Sequence, residues 1–267
     1  MYRAIAFDLW ETLITNDPTA AHSHRELRLE RLGSILARSG FPAGAVQLDH
    51  AYRASWDVCQ ERYWSRDIDV PCRRQVEHFL EGLNLDPSSV GPSTLATLEE
   101  AYAMVAVDVL PALVPGADAV LRALRERDLR IGLISNTGRT PGYALRRILE
   151  KLELAPLFDA MIFSNEHGAC KPQRSIFESL RSALGVRFEE MLFVGDNLYV
   201  DVHGAQQCGI TGVHFIPAVR GTAVAPPVEH GMVIKAAATV RELREVLAFI
   251  DAGERNRELQ GSKLSGS

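Results

Sequence analysis

The stretch from Arg130 to Leu152, RIGLISNTGRTPGYALRRILEKL, contains the repeating unit of the fold. Its opening, Arg130-Ile131-Gly132-Leu133-Ile134, is an apolar run too short for a buried helix and rich in β-branched side chains, so it reads as a strand. From Pro141 to Leu152 the apolar residues recur at helical spacing, and proline suits a first helical turn, where its missing amide hydrogen costs nothing. Working outward, the same alternation recurs. Ala4–Phe7, Ala160–Phe163, Met191–Val194 and Gly212–Ile216 read as further strands, and 117–127, 172–184 and 198–208 as helices. A last helix is expected over Val240–Ile250, opened by the capping box Thr239-Val-Arg-Glu242. Strands alternating with helices of this length predict an α/β fold, a three-layer parallel sheet covered on both faces.

One segment breaks the alternation. Between about Asn16 and Val109 there is almost no strand signal, only amphipathic helical stretches near 20–38, 46–64, 73–82 and 94–107. Asp17-Pro18 on one side, and Pro111 with Pro115-Gly116 on the other, supply turns for two crossings. The expected organisation is a core of residues 1–15 and 110–251, an inserted helical subdomain at 16–109, and a flexible tail at 252–267, where apolar content is low.

Of the 267 residues, 46% are hydrophobic and 24% charged, which excludes disordered, collagenous and coiled-coil classes. A net charge of −5 supplies no basic field for nucleic acid or an anionic membrane, so neither is expected as a partner and an anionic ligand must be held locally. No uncharged run reaches the ~18 residues of a spanning helix, and MYRAIAFDLWETL lacks the basic start of a secretory signal. Cys59, Cys72, Cys170 and Cys208 are scattered without a CxxC, the pattern of reduced buried thiols, and a cytoplasmic address is the expectation. His22 and His24, two apart, would not share a helix face, so no histidine metal site is expected.

In an open parallel sheet, ligands gather at the carboxyl ends of the strands. The polar residues there are Asp8 with Thr12, Ser135 with Asn136, and Asp196 with Asp201, while Lys171 opens the segment after the 160–163 strand. Only four of the 29 basic residues are lysines, Lys151, Lys171, Lys235 and Lys263, so a compact ammonium at position 171 is a specific choice. A carboxylate such as Asp8 can attack phosphorus or an sp3 carbon. Crowded acids at 8, 196 and 201 repel phosphate unless a hard cation such as Mg2+ intervenes.

Together these residues resemble the haloacid dehalogenase superfamily of hydrolases. Phe7-Asp8-Leu9-Trp10-Glu11-Thr12-Leu13 is similar to its first motif, Leu133-Ile134-Ser135-Asn136-Thr137 to its second, Lys171-Pro172 to its third, and Val194-Gly195-Asp196 through Asp201 with Gly204-Ala205 to its fourth. The resemblance implies a Rossmann-like core with the helical cap of the first subclass, and a Mg2+-dependent phosphatase that forms an aspartyl-phosphate on a small phosphorylated metabolite. Asp8, Thr12, Ser135 and Lys171 would be catalytic. Asp8, the Trp10 backbone carbonyl, Asp196 and Asp201 would hold the metal, and Trp10, Asn136 and Arg25 would contact substrate. A monomer or homodimer is expected.

One departure matters. Phosphatases of this family usually carry a second aspartate two residues after the nucleophile, where this chain has Trp10, which transfers no protons at neutral pH. Glu11 is the nearest carboxylate, at a position that is usually glycine. A bulky aromatic at position 10 also resembles the 2-haloacid dehalogenase branch, which needs no metal, and a catalytically degenerate member is a further alternative. That branch typically replaces the first acid of the fourth motif with serine, whereas Asp196 and Asp201 stand here, which favours phosphate. In the inserted helices, Arg25, Arg53, Arg62 and Arg66 could meet a second anionic group and Trp56, Tyr63 and Trp64 an organic body.

Overall fold

The computed structural model describes residues 1–16, 18–216, 228–229 and 231–264. In chain order, the strands are β1 (Ala4–Phe7), β2 (Ile14–Thr15), β3 (Ala112–Leu113), β4 (Arg130–Ser135), β5 (Ala160–Phe163), β6 (Met191–Gly195), β7 (Thr211–Phe215), β8 (Val228–Glu229), β9 (Met232–Val233) and β10 (Ala238–Val240). The helices are α1 (Pro18–Arg38), α2 (Ala45–Arg62), α3 (Cys72–Gly82), α4 (Pro92–Ala103), α5 (Val105–Asp108), α6 (Ala117–Glu126), α7 (Gly142–Lys151), α8 (Ser164–His167), α9 (Arg174–Leu184), α10 (Gly204–Gln207) and α11 (Arg244–Leu264). Six strands form one parallel sheet in the order β10-β7-β6-β1-β4-β5.

Alternation of side chains along the strands makes the three layers. Ile5, Phe7, Ile131, Leu133, Leu192 and Val194 face one side, where Leu121 and Leu124 of α6, Ile148 of α7 and Val246 of α11 cover them. Ala4, Ala6, Ile134 and Phe193 face the other, against Phe177 and Leu180 of α9 and Ala205 of α10. Each large side chain so buried contributes about 1.5–3 kcal/mol. Gly132 sets how closely α9 approaches, because a Cβ there would stand 2.9 Å from Leu180 and 3.0 Å from Leu184.

Helices α1 to α4 gather a separate apolar cluster, with Leu32 and Leu36, Ala51 and Tyr52, Val76 and Phe79, and Leu98 and Tyr102 as its centre. Chain enters and leaves this insertion through the antiparallel pair β2 and β3, with Ile14 opposite Leu113 and Thr15 opposite Ala112. Asp17, beside that hinge, lies outside the described residues.

Several elements differ from the sequence reading. Thr239 is not a helix cap: it pairs with His214 as part of β10, and α11 begins at Arg244. The amides of Arg241 and Glu242 donate instead to Glu245, at 3.1 and 2.8 Å. The stretch 94–107 is two helices, divided at Met104. Residues 198–208 are a π-helical turn, Leu198–His203, leading into α10. Helix α11 continues past residue 251 to Leu264, into the stretch 252–267 expected as a flexible tail. Residues 265–267 lie outside the described ones.

All four cysteines are buried and unpaired. Burial pushes the Cys59 thiol up to about 11, and those of Cys72 and Cys170 up to about 12. His24 is also buried, its Nε2 2.6 Å from the Val109 carbonyl, and burial lowers its pKa. The His22 side chain lies outside the described residues. Among those residues, no helix is long and apolar enough to cross a membrane.

Candidate active site

Strands β6, β1 and β4 are neighbours at the centre of the sheet, so the residues at their carboxyl ends converge. Asp8 follows β1 directly, and its amide donates to the Val194 carbonyl of β6 at 2.9 Å. Ser135 closes β4, and Gly195 closes β6 before Asp196. Lys171 Nζ lies 2.5 Å from Asp8 Oδ1 and 2.7 Å from Asp201 Oδ1, and donates to the Ile134 carbonyl at 3.0 Å. Thr12 Oγ1 donates to Asp8 Oδ2 at 3.2 Å. Lys171 and Asp201 are each only 1% exposed, so the ammonium has no solvent to turn to.

Oxygens of Asp8, Asp196 and Asp201 lie within 4.8 Å of one another. Burial raises the Asp8 carboxyl to about 6, Lys171 opposes that rise and Asp201 adds to it. Burial works against the charge on Lys171, yet Asp201 and Asp8 outweigh it and hold the ammonium firmly protonated. Three carboxylates against one ammonium leave the cluster short of positive charge. Hard oxygen donors in that arrangement suit a divalent cation of the Mg2+ or Ca2+ type.

The π-helical turn presents Asp201, in keeping with the habit of such turns to mark functional positions. Asn197 caps it, accepting from the amides of Tyr199 and Val200, while its own amide donates to Asp201 Oδ2 at 3.0 Å. Gly195 is required by proximity: a Cβ there would overlap the Asp201 carboxylate. Asn136, expected to touch substrate, has both ends of its carboxamide on the Lys171 backbone, at 2.8 and 3.1 Å, and so orients Lys171. The Ser135 hydroxyl is fully buried and has no hydrogen-bond partner.

Trp10 and Glu11 occupy the turn after Asp8. Glu11 has φ of +60°, the left-handed region, which explains why glycine suits this position. Its carboxylate accepts from Thr15 Oγ1 at 2.9 Å, toward the β2 hinge. The Trp10 ring is half-buried against the main apolar cluster.

A model of the haloacid dehalogenase-like hydrolases matches residues 2–209. The chain belongs to this family. It is 31% identical over 217 residues to the glyceraldehyde 3-phosphate phosphatase of Pyrococcus abyssi, an overlap of 80% of this chain and 82% of that enzyme. With the phosphoglycolate phosphatase of Cereibacter sphaeroides it shares 33% identity over 232 residues, 85% of this chain and 91% of the relative. Among solved structures, the 2-haloacid dehalogenase of Pseudomonas syringae pv. Tomato DC3000 has the same fold. Its TM-score is 0.66 at 21% identity, covering 93% of this chain and 99% of that one.

In this haloacid dehalogenase-like hydrolase the insertion meets the core through polar side chains that carry no sequence motif. Arg139, in the loop after β4, donates to the Tyr102 hydroxyl at 2.6 Å and the Tyr52 carbonyl at 2.8 Å, with its guanidinium 3.7 Å from the Tyr52 ring. Gln75 Nε2 donates to the Gly138 carbonyl at 2.7 Å. Arg25, expected to contact substrate, is ion-paired with Asp49, which Arg53 also contacts at 3.1 Å. Arg25 thus ties α1 to α2, while Arg53 pairs with Asp49 within α2. Arg62 and Arg66 are exposed. Trp56 and Trp64 meet edge to face at 4.5 Å, and Tyr63 lies beside His78.

Proposed function

We propose that the protein is a phosphatase acting on a small phosphorylated metabolite through an aspartyl-phosphate on Asp8, with residues 16–109 as a helical cap over the strand ends. The observation that carries this reading is the clustering of the Asp8, Asp196 and Asp201 carboxylates within 4.8 Å of one another, with Asp8 and Asp201 paired to a single buried ammonium. A metal-free carbon–halogen displacement has no use for two further acids beside the nucleophile, one of them buried. The names of the relatives support small phosphate esters as the substrate class. Asp8, Asp196, Asp201 and the Trp10 carbonyl would hold Mg2+, which when bound supplies charge neutralisation for the incoming phosphate.

The chain's own residues divide the remaining work. Asp8 attacks phosphorus, forming a P–O bond as the bond to the leaving oxygen breaks; water then attacks the aspartyl-phosphate, releasing phosphate and restoring the carboxylate. Lys171 balances the charge on Asp8 and the phosphoryl group, and Ser135 offers its unpaired hydroxyl to a phosphoryl oxygen. Trp10 cannot protonate the leaving oxygen, and Glu11 is turned toward Thr15. Acyl or aryl phosphates, whose leaving groups need little protonation, therefore fit this site best. A screen of phosphorylated metabolites and 2-haloacids, with and without Mg2+, tests the reading. Mg2+-dependent phosphate release is expected; halide release unchanged in excess EDTA would replace it with the dehalogenase.

A further inference from the structure

Asp69, outside the acidic cluster, accepts four hydrogen bonds. It is 5% exposed and lies in the insertion, between α2 and α3. Its Oδ1 accepts from Trp64 Nε1 and from the Val70 amide, both at 2.8 Å. Its Oδ2 accepts from Thr137 Oγ1 at 3.0 Å and closely from Ser164 Oγ. Ser164 Oγ in turn accepts from the Thr137 amide at 2.9 Å. The backbone around Asp69 is also tied down. Its amide donates to the Gly168 carbonyl at 3.2 Å, Ile68 bridges Ala169, and the Cys170 amide donates to the Asp67 carbonyl at 2.8 Å.

These contacts fall on two core loops that matter. Thr137 stands two residues after Ser135, and Cys170 immediately precedes Lys171. Asn136 already ties one loop to the other. We infer that Asp69 is a positioning residue for hydrolysis: seated against both loops, it fixes the Ser135 hydroxyl and the Lys171 ammonium relative to Asp8 only when the insertion is docked. This rests on the phosphatase reading for its kinetics but not for its geometry. It touches no reacting atom, and acts through Thr137, Ser164 and Cys170.

The test compares wild type, Asp69→Ala and Asp69→Asn in Mg2+ with p-nitrophenyl phosphate. Melting temperatures and amide exchange in peptides covering 135–138 and 168–172 are measured alongside. A positioning role predicts that folded Asp69→Ala loses about 10- to 100-fold in kcat with KM changed far less, since small misplacements of reacting groups cost that much. It also predicts faster exchange in both peptides. Asp69→Asn keeps the shape and an acceptor for Trp64 and Val70, and the Thr137 and Ser164 hydroxyls can turn to accept, so it should return to within about threefold of wild type. A wild-type kcat in folded Asp69→Ala would overturn the inference. Should Asp69→Ala not fold, Thr137→Val and Ser164→Ala carry the test: each should lower kcat, with the double variant less affected than the product of the two. Independent losses, or none, would overturn it. If the wild-type chain hydrolyses no phosphate ester, the phosphatase reading fails and exchange alone decides, unchanged exchange in Asp69→Ala ruling the positioning role out.

Discussion

Buried charge is handled in opposite ways at the strand ends and at the seam between insertion and core. Around the seam, Arg28 lies just inside the insertion at 4% exposure and Arg139 reaches across from the core, yet among the described residues neither forms an ion pair. Carbonyls, phenol oxygens and aromatic faces surround them: Arg28 donates to the Tyr102 carbonyl at 2.7 Å and the Tyr52 hydroxyl at 2.8 Å, with Tyr102 below at 5.0 Å. At the strand ends the acids outnumber the cation and a buried hydroxyl has no partner. Neutral dipoles arranged around a guanidinium complete a structure; an unbalanced cluster with an unused donor is an arrangement that awaits a ligand.

The sharpest way to break this contrast is to remove the nucleophile. Asp8→Asn should lower turnover by at least about 10⁴-fold while leaving a folded chain, measured by phosphate release and circular dichroism. Wild-type turnover in this variant would leave the strand-end cluster without its chemistry. On the other side, Arg28→Met should cost about 2–4 kcal/mol of stability in denaturant unfolding, because two buried oxygens lose their donor. Activity per folded molecule should stay near wild type; a loss of turnover without loss of stability would erase the distinction.

Metal binding sharpens the contrast further. At a hundredfold excess over Kd, Mg2+ should stabilise the fold by about 2.7 kcal/mol, and Asp196→Ala should abolish the shift. The pH dependence has a definite sign. Because the Asp8 carboxyl is raised to about 6 from 3.8, the folded chain keeps a proton that the unfolded chain has lost. Metal-free stability should therefore fall as pH rises from about 4 to about 6, then level. The Mg2+-induced gain should be full above that range and fade as pH falls through about 6, since protons and metal compete for the same carboxylate. A gain independent of pH would place the ion elsewhere. The smallest expected effect is from Trp10→Asp. A proton donor there should speed hydrolysis of alkyl phosphates by about tenfold, short of the usual ~10²–10⁴ range of general acid catalysis because removing the indole leaves a partial void. No gain, beside a wild type already fast on alkyl phosphates, would turn attention to Glu11.

How much of this was legible beforehand depended on whether the signal was local. The strands announced themselves as short apolar runs, and the site residues as polar residues at strand ends, because a parallel sheet converts position along the chain into position in space. β10 was missed because Thr239 and Glu242 also satisfy a capping pattern, and only pairing with β7 distinguishes an edge strand from a helix start. The partners that Arg25 and Asn136 have in the fold, Asp49 and the Lys171 backbone, are distant in sequence, so the sequence offers only their expected place near the substrate. Asp69 gave no signal at all: its partners Thr137 and Ser164 stand 68 and 95 residues away.

The four buried thiols have a practical consequence for spectroscopy. With pKa values raised by burial, they present almost no thiolate at neutral pH and little surface to a maleimide. A cysteine introduced at Val46, 84% exposed at the start of α2, would therefore take up a dye selectively with every native cysteine still in place. Fluorescence from that one label would follow the insertion directly, in the unaltered background of the wild-type core.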